Sequence, residues 1–197
     1  MIAGIVLAAG LSRRFGGANK LLAAVDSVPL IRRVVRTALA SKLDRVVVVL
    51  GHQAEAVRAV LADLAADERL SFIENARPEL GQSGSVRVGL GVVAAQCEGA
   101  LFLMGDQPYL EPGIIDALIG VHRGGITLPA VGGKRRNPVI FDRRFYPDIL
   151  ALSGDTGARA IIEANAAQVT ALTFENERPF ADIDERSDMI QLARGRP

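Results

Sequence analysis

One apolar run constrains the fold more than any other feature of the chain. Val46-Val47-Val48-Val49-Leu50 is continuous, with no polar residue between its apolar ones. A strand with one wet face alternates; a continuous run needs cover on both faces, as in a parallel sheet flanked by helices. Ile2–Ala8, Arg45–Leu50 and the runs at 70–73 and 100–104 read as strands of that kind. Between them lie amphipathic helices. Ile31, Val34, Val35, Ala38 and Leu39 share one helical face, with Arg32, Arg33 and Arg36 elsewhere. Ala54, Val57, Val60, Leu61 and Leu64 form a second such face, and a third helix is predicted over 83–96. Strand–helix alternation builds a mostly parallel sheet with right-handed crossovers, and ligands bind at the carboxyl ends of its strands. The predicted class is therefore α/β, with one domain over residues 1–197. The second half is less regular, with strands expected at 126–128, 138–141 and 169–174 and a helix near 157–165.

Bulk properties exclude several classes. A chain of 197 residues is long enough for a substantial core. A net charge of +1 argues against a general binder of nucleic acid or membrane surfaces, although a local basic site fits. The single Cys97 excludes an internal disulfide framework and a cysteine metal cluster, and reads as a buried thiol. His52 and His122 are too few for a histidine metal site; His52, just past a strand end, fits either a loop role or the lining of a crevice. Met1 to Ala9 lacks the basic n-region of a signal peptide, and no apolar run reaches transmembrane length, so a cytoplasmic location is expected.

The first strand empties into Leu7-Ala8-Ala9-Gly10-Leu11-Ser12-Arg13-Arg14-Phe15-Gly16-Gly17-Ala18-Asn19-Lys20-Leu21-Leu22. Small residues at Ala8, Ala9 and Gly10 let backbone N–H groups approach a ligand, and Arg13, Arg14 and Lys20 add positive charge over the same space. A nucleoside triphosphate needs that combination of backbone cradle and cations. No Ser or Thr follows Lys20, which excludes G-x-x-x-x-G-K-[ST]; Gly10, Gly16 and Gly17 are too far apart for G-x-G-x-x-G.

The pattern L-A-A-G-x-S-x-R-x-G-x-x-N-K-L-L resembles the signature of the MobA-like nucleotidyltransferases. Asn75 to Leu90, Gly105-Asp106-Gln107-Pro108, Gly133 to Phe141, Gly154-Asp155-Thr156-Gly157-Ala158-Arg159 and Asp182-Ile183-Asp184 fit the same family, in order, across nearly the whole chain. The L-A-A-G start and the G-Q-S-x-S segment are similar to the molybdenum cofactor cytidylyltransferase (MocA-like) branch more than to the guanylyl branch. The resemblance implies a Rossmann-like nucleotidyltransferase fold with an NTP-binding first half and an acceptor-binding second half. It implies Mg2+-dependent transfer of CMP from CTP to the molybdenum cofactor (molybdopterin), with pyrophosphate released. It also implies small-molecule substrates, namely an NTP and a phosphorylated pterin, and transient contact with a molybdoenzyme or its chaperone. Two rivals stay open: a transferase using GTP or a sugar phosphate, and a nucleotide-binding oxidoreductase or cofactor chaperone that keeps the fold.

The chemistry assigns roles within that frame. A substrate phosphate attacks the α-phosphorus, so catalysis is mainly alignment and neutralisation of negative charge. Asp106 follows the apolar run 100–104, which places its carboxylate at a strand end as metal ligand or, alternatively, as a turn or N-cap residue. By resemblance Asp184 is the second ligand, ahead of Asp182; a helix cap is the other reading of this D-x-D, and Glu185-Arg186-Ser187 departs from the family's Thr-Pro-Glu. Arg13 and Lys20 are expected on the triphosphate as catalytic cations, with Arg14 at a variable, solvated position. One such contact is worth roughly 2–4 kcal/mol in the transition state. Asn19 fits a turn or a ligand contact. Leu7, Ala8, Ala9, Gly10, Gly81, Gln82, Ser83 and Ser85 complete the expected nucleotide site, Ser83 and Ser85 doubling as helix caps. Arg135, Asn137, Pro138, Gly154 and Asp155 are expected to meet the acceptor, with Asp155 or Thr156 also able to cap the helix that follows.

Overall fold

The structure, a computed structural model, describes residues 1–15, 18–154, 158–185 and 187–189. In chain order the elements are β1 (Ile2–Ala8), β2 (Ala24–Val25), β3 (Val28–Pro29), α1 (Leu30–Leu39), β4 (Arg45–Leu50), α2 (Ala54–Ala59), β5 (Leu70–Glu74) and α3 (Gln82–Val93). There follow β6 (Gly99–Met104), α4 (Pro112–Val121), β7 (Ile126–Val131), β8 (Lys134–Arg135), β9 (Val139–Asp142), α5 (Tyr146–Leu150), α6 (Arg159–Ala164) and β10 (Val169–Phe174). Short 3-10 turns link several of them, and β2 and β3 form a separate small hairpin.

The main sheet has the order β10-β7-β9-β6-β1-β4-β5, with β8 added beside β7. Pairings β6–β1, β1–β4, β4–β5 and β7–β10 are parallel. β9 runs antiparallel between β6 and β7, so the sheet is mostly rather than wholly parallel. The continuous run Val46 to Leu50 is buried throughout, between β1 and β5 and under helices on both faces.

Two cores follow from the period-two alternation of the strands. Val6 and Ala8 face one side, packed with Ile31 and Val34 of α1, Val57 of α2 and Ile115 and Leu118 of α4. Ile5 and Leu7 face the other, with Val86 and Leu90 of α3, Ile149 of α5 and Ile161 of α6. Each such large apolar side chain stabilises by about 1.5–3 kcal/mol when fully buried. Cys97 is buried and unpaired by any disulfide, and burial pushes its thiol pKa up. Among the described residues no helix is long and apolar enough to cross a membrane.

Several boundaries differ from those the sequence predicts. The expected helix at 54–64 stops at Ala59 and resumes as a 3-10 turn at Ala62–Ala66. The helix expected over 83–96 runs Gln82–Val93, starting directly after Gly81, whose φ of 103° ends the preceding turn. The strand expected at 126–128 extends to Val131, where the Gly132-Gly133 turn, both φ positive, reverses the chain into β8. The helix near 157–165 is the shorter α6.

Candidate active site

The carboxyl ends of β1 and β6 lie side by side. Gly105 N–H donates to the Leu7 carbonyl at 3.1 Å. A Cβ on residue 105 would stand 2.8 Å from that carbonyl oxygen, so only glycine lets the two strand ends approach this closely. The next residue is Asp106, and a crevice of about 530 Å3 opens above it. Leu7, Ala9, Gly10, Arg13, Lys20, Gly81, Gln82, Ser85, Asp106 and Asp184 all line this one space. A Cβ on Gly10 would meet nothing within 4 Å, so its backbone faces open crevice.

The loop after β1 is held by its own polar groups. Ser12 adopts a φ of 50°, and its Oγ accepts from Lys20 N–H at 3.1 Å. Asn19 is buried; its Oδ1 caps Leu21 N–H and its Nδ2 donates to the His52 carbonyl, both at 3.0 Å. Asn19 is thus a turn residue, and His52 meets the loop through its backbone. Both lie outside the crevice lining.

This frame aims Lys20 at two carboxylates. Its Nζ is 2.6 Å from Asp106 Oδ2 and 3.1 Å from Asp184 Oδ1. Burial works against the ammonium charge, but attraction and a hydrogen bond to Asp106, reinforced by Asp184, outweigh it and raise the Lys20 pKa. Arg14, expected in solvent, places a guanidinium nitrogen 3.2 Å from Asp184 Oδ1 while its side chain stays 69% exposed. Asp106 Oδ1 is buried with no hydrogen-bond partner. Such an orphan is costly unless a ligand or ion completes it.

Asp184 reaches this position from the far end of the chain. Ile183 is fully buried and its N–H donates to the Asp106 carbonyl at 3.0 Å. Gln107 is buried and its Nε2 donates to the Phe180 carbonyl at 3.0 Å, so the turn after Asp106 clamps the segment leading to Asp184. Asp188 Oδ2 accepts from the N–H groups of Asp184 and Glu185 at 2.9 and 2.8 Å. The cap in this D-x-D segment is therefore Asp188, which leaves the Asp184 carboxylate for the cations. Asp182 is exposed and stands beside the pair. Chain packed around its carboxyl, then the like charges of Asp106 and Asp184, push it up to about 6 against a Gln107 hydrogen bond and the Lys20 charge.

The α3 end of the crevice corrects part of the expected nucleotide site. The N-cap is Gly81, so neither Ser83 nor Ser85 caps the helix. Ser83 is 1% exposed, and its Oγ donates to the Gly154 carbonyl at 2.6 Å. One residue into the helix it faces the second-half loop, and it does not line the crevice. Ser85, half a turn on, does line it and accepts from Asn75 Nδ2 at 3.0 Å. Ala8 is also outside the lining, because strand alternation turns its methyl into the core opposite Leu7.

The expected acceptor residues do not join this space. Arg135, Asn137 and Gly154 are exposed and Pro138 is buried after a cis peptide bond; none lines the crevice. All of β9 pairs antiparallel with β6, Phe102 opposite Val139, so the 134–138 turn lies toward the carboxyl-end edge of the sheet that carries Asp106 but outside the crevice lining. Arg136 is ion-paired with Glu177. Asp155, Thr156 and Gly157 lie outside the described residues. Sequence reasoning did not assign Arg14, Met104 or the Pro78–Leu80 wall to the site. Two adjacent arginines in a Gly-rich loop were the signal for Arg14; the wall carries no chemical signature.

The donor set fits a hard divalent cation. Among the described residues no group of three or more His, Cys, Asp or Glu side chains converges. Two carboxylates with one buried, unpartnered oxygen suit Mg2+ or Mn2+, which take one or two carboxylates and fill the remaining positions with phosphate and water.

Comparison with known proteins gives a family and a fold. The MobA-like NTP transferase domain family matches residues 4–169. Purine catabolism protein PucB of Bacillus subtilis (strain 168) is 29% identical over 197 residues, 96% of each chain. Nicotine blue oxidoreductase of Paenarthrobacter nicotinovorans is 28% identical, covering 97% of this chain and 96% of that protein. A probable molybdenum cofactor guanylyltransferase of Haloferax mediterranei is 35% identical over 130 residues, 66% of this chain and 59% of that one. Rv0371c from Mycobacterium tuberculosis H37Rv superposes with a TM-score of 0.83 at 26% identity, over 98% of this chain and 97% of its own. A manganese complex of Rv0371c matches with a TM-score of 0.77 at 25% identity, over 98% of each chain.

Proposed function

The chain belongs to the MobA-like NTP transferase family, and we propose that this nucleotidyltransferase moves CMP from CTP onto the molybdenum cofactor with Mg2+ and releases pyrophosphate. The observation that carries the reaction type is the meeting of a cationic, backbone-open loop with the Asp106–Asp184 pair in one crevice. The cytidylyl and molybdopterin assignments rest on the L-A-A-G and G-Q-S-x-S segments and on the likeness to a molybdenum cofactor guanylyltransferase.

Each side chain then has a task. Asp106 and Asp184 would hold the metal, with the orphaned Asp106 Oδ1 as a waiting donor. When bound, the metal neutralises triphosphate charge and favours departure of pyrophosphate. Arg13 and Lys20 line the crevice and would stabilise the charge that develops as the acceptor phosphate oxygen bonds to the α-phosphorus and the bond to pyrophosphate breaks. Gly81, Gln82 and Ser85, at the start of α3, line the crevice where ribose and base would lie. Arg135, Asn137, Pro138, Gly154 and Asp155 belong in this reading to a second, acceptor-facing surface, and a molybdoenzyme or its chaperone receives the product.

The test is pyrophosphate release with purified molybdenum cofactor and a panel of nucleotides. CTP-dependent turnover is expected, and Asp106→Asn should lower kcat by about 10^2–10^3-fold while nucleotide still binds. Equal turnover with GTP, or turnover only with a sugar phosphate, would overturn the substrate assignment. The similarity to nicotine blue oxidoreductase favours a second reading, a nucleotide-binding oxidoreductase of the same fold. Under that reading Asp106→Asn leaves function intact.

A further inference from the structure

We infer that Lys20 is the resident cation of the carboxylate pair, so that the protein takes its divalent metal together with the triphosphate rather than as the free ion. This rests on the metal-dependent reading above. One ammonium, 2.6 Å from Asp106 and 3.1 Å from Asp184, bridges two carboxylates carried on different loops. Asp106 and Asp184 are the residues that would hold the metal, and the ammonium already occupies the space between them. The Lys20 and Asp106 side chains are only 16% and 13% exposed, so water does little to screen the pair. Arg14 supplies a second positive charge to Asp184. Lys20 and Arg14 offset the charges of Asp106 and Asp184, with the Asp182 carboxyl standing beside them.

A bare divalent ion entering there meets both cations and must displace the ammonium. The ammonium is tethered: Lys20 N–H is fixed on Ser12 Oγ, and Asn19 caps the turn that carries it. It therefore stays within the crevice as a like charge beside the incoming ion. A triphosphate changes the balance. It brings its own negative charge for the ion and gives Lys20 and Arg14 new partners a short side-chain swing away. Loop movement is not required, because only the Lys20 side chain has to turn. Asp106 Oδ1, which Lys20 leaves unpartnered, is the oxygen free to receive the incoming complex first.

The test uses Mn2+ alone as the probe, titrated into the full chain without nucleotide and followed by the paramagnetic resonance of free Mn2+. Lys20→Met is expected to bind Mn2+ about 10-fold or more tightly than the wild type, because a unit charge a few ångströms away has been removed. Arg14→Met, on an exposed side chain that the fold does not depend on, should give a smaller gain of about 2–5-fold. With a non-hydrolysable CTP analogue present, the wild type should gain Mn2+ affinity far more than Lys20→Met does. Equal Mn2+ affinity in wild type and both variants, with Asp106→Asn weakening all of them, overturns the inference and leaves the metal site standing. Mn2+ binding that ignores Asp106→Asn overturns the metal assignment itself, and the inference falls with it.

Discussion

At residue 105 there is no room for one more carbon. An added Cβ would press on the Leu7 carbonyl at 2.8 Å and touch Ile31 Cδ1 and Leu21 Cδ2 at 3.4 Å. The carbonyl belongs to the strand backbone and cannot move aside cheaply. Gly105→Ala should therefore destabilise by about 1–3 kcal/mol in urea unfolding. It should also lower kcat by more than that loss of folded protein explains, because the hydrogen bond that sets Asp106 beside β1 is the one disturbed. Ile183 makes the complementary case. Its side chain is fully buried against Phe15, Val25 and Leu30, one residue before Asp184. Ile183→Ala should cost about 2–5 kcal/mol in the same measurement and weaken Mn2+ binding in the presence of nucleotide, since the carboxylate loses its anchor. A variant that loses stability yet binds metal unchanged would show that the backbone bond to Asp106 suffices.

Among the elements, the parallel half was legible and the antiparallel insertion was not. β1, β4 and β6 announce themselves because strands covered on both faces must be apolar throughout. β9 is short, and nothing in Val139–Asp142 says that it inserts antiparallel between β6 and β7. The same division runs through the site. Arg13, Lys20, Asp106 and Asp184 were readable because each sits at a loop position that chemistry or family pattern singles out, and they share one crevice. Ser83 was expected at the ligand because the family's Gly81–Ser85 segment implies it, with a helix cap as the other reading. Helical geometry then turns its hydroxyl to Gly154. The Arg14–Asp184 pair depends on how the ends of the chain meet, which local pattern does not encode.

At the opposite end of the sheet, α4 hands over to β7 through His122, whose Nδ1 lies 2.8 Å from Thr127 Oγ1. Burial holds this imidazole below its usual 6.5, with Arg144 and Arg123 adding to the effect and Asp142 opposing it. A depressed folded-state value means that the unfolded chain takes up the proton first. The stability contributed is present above pH 6.5 and is lost as pH falls through the folded value. Urea midpoints measured at about pH 7.5 and about pH 5.5 should therefore converge in His122→Gln relative to the wild type.

For the molecule as a whole, ligands should report on the fold. Anything that binds only the native state adds RT ln(1 + [L]/Kd), about 2.7 kcal/mol at a hundredfold excess over Kd. CTP with Mg2+ should thus raise Tm by several degrees, whereas Mg2+ alone should leave it nearly unchanged; scanning calorimetry of the two mixtures distinguishes them. An equal rise with Mg2+ alone would contradict the order of loading.

The clamp between Ile183 and Asp106 also bears on timing during synthesis. Lys20 and Asp184 are separated by 164 positions, yet they meet in one ion pair. A ribosome that has released every strand of the sheet, through Phe174 of β10, has still not delivered the second carboxylate. The core can form on the growing chain while the crevice holds Lys20 and Asp106 alone. With Asp106 and Asp184 as the proposed metal ligands, a nascent protein of this design cannot complete that pair until the segment through Asp184 has left the exit tunnel.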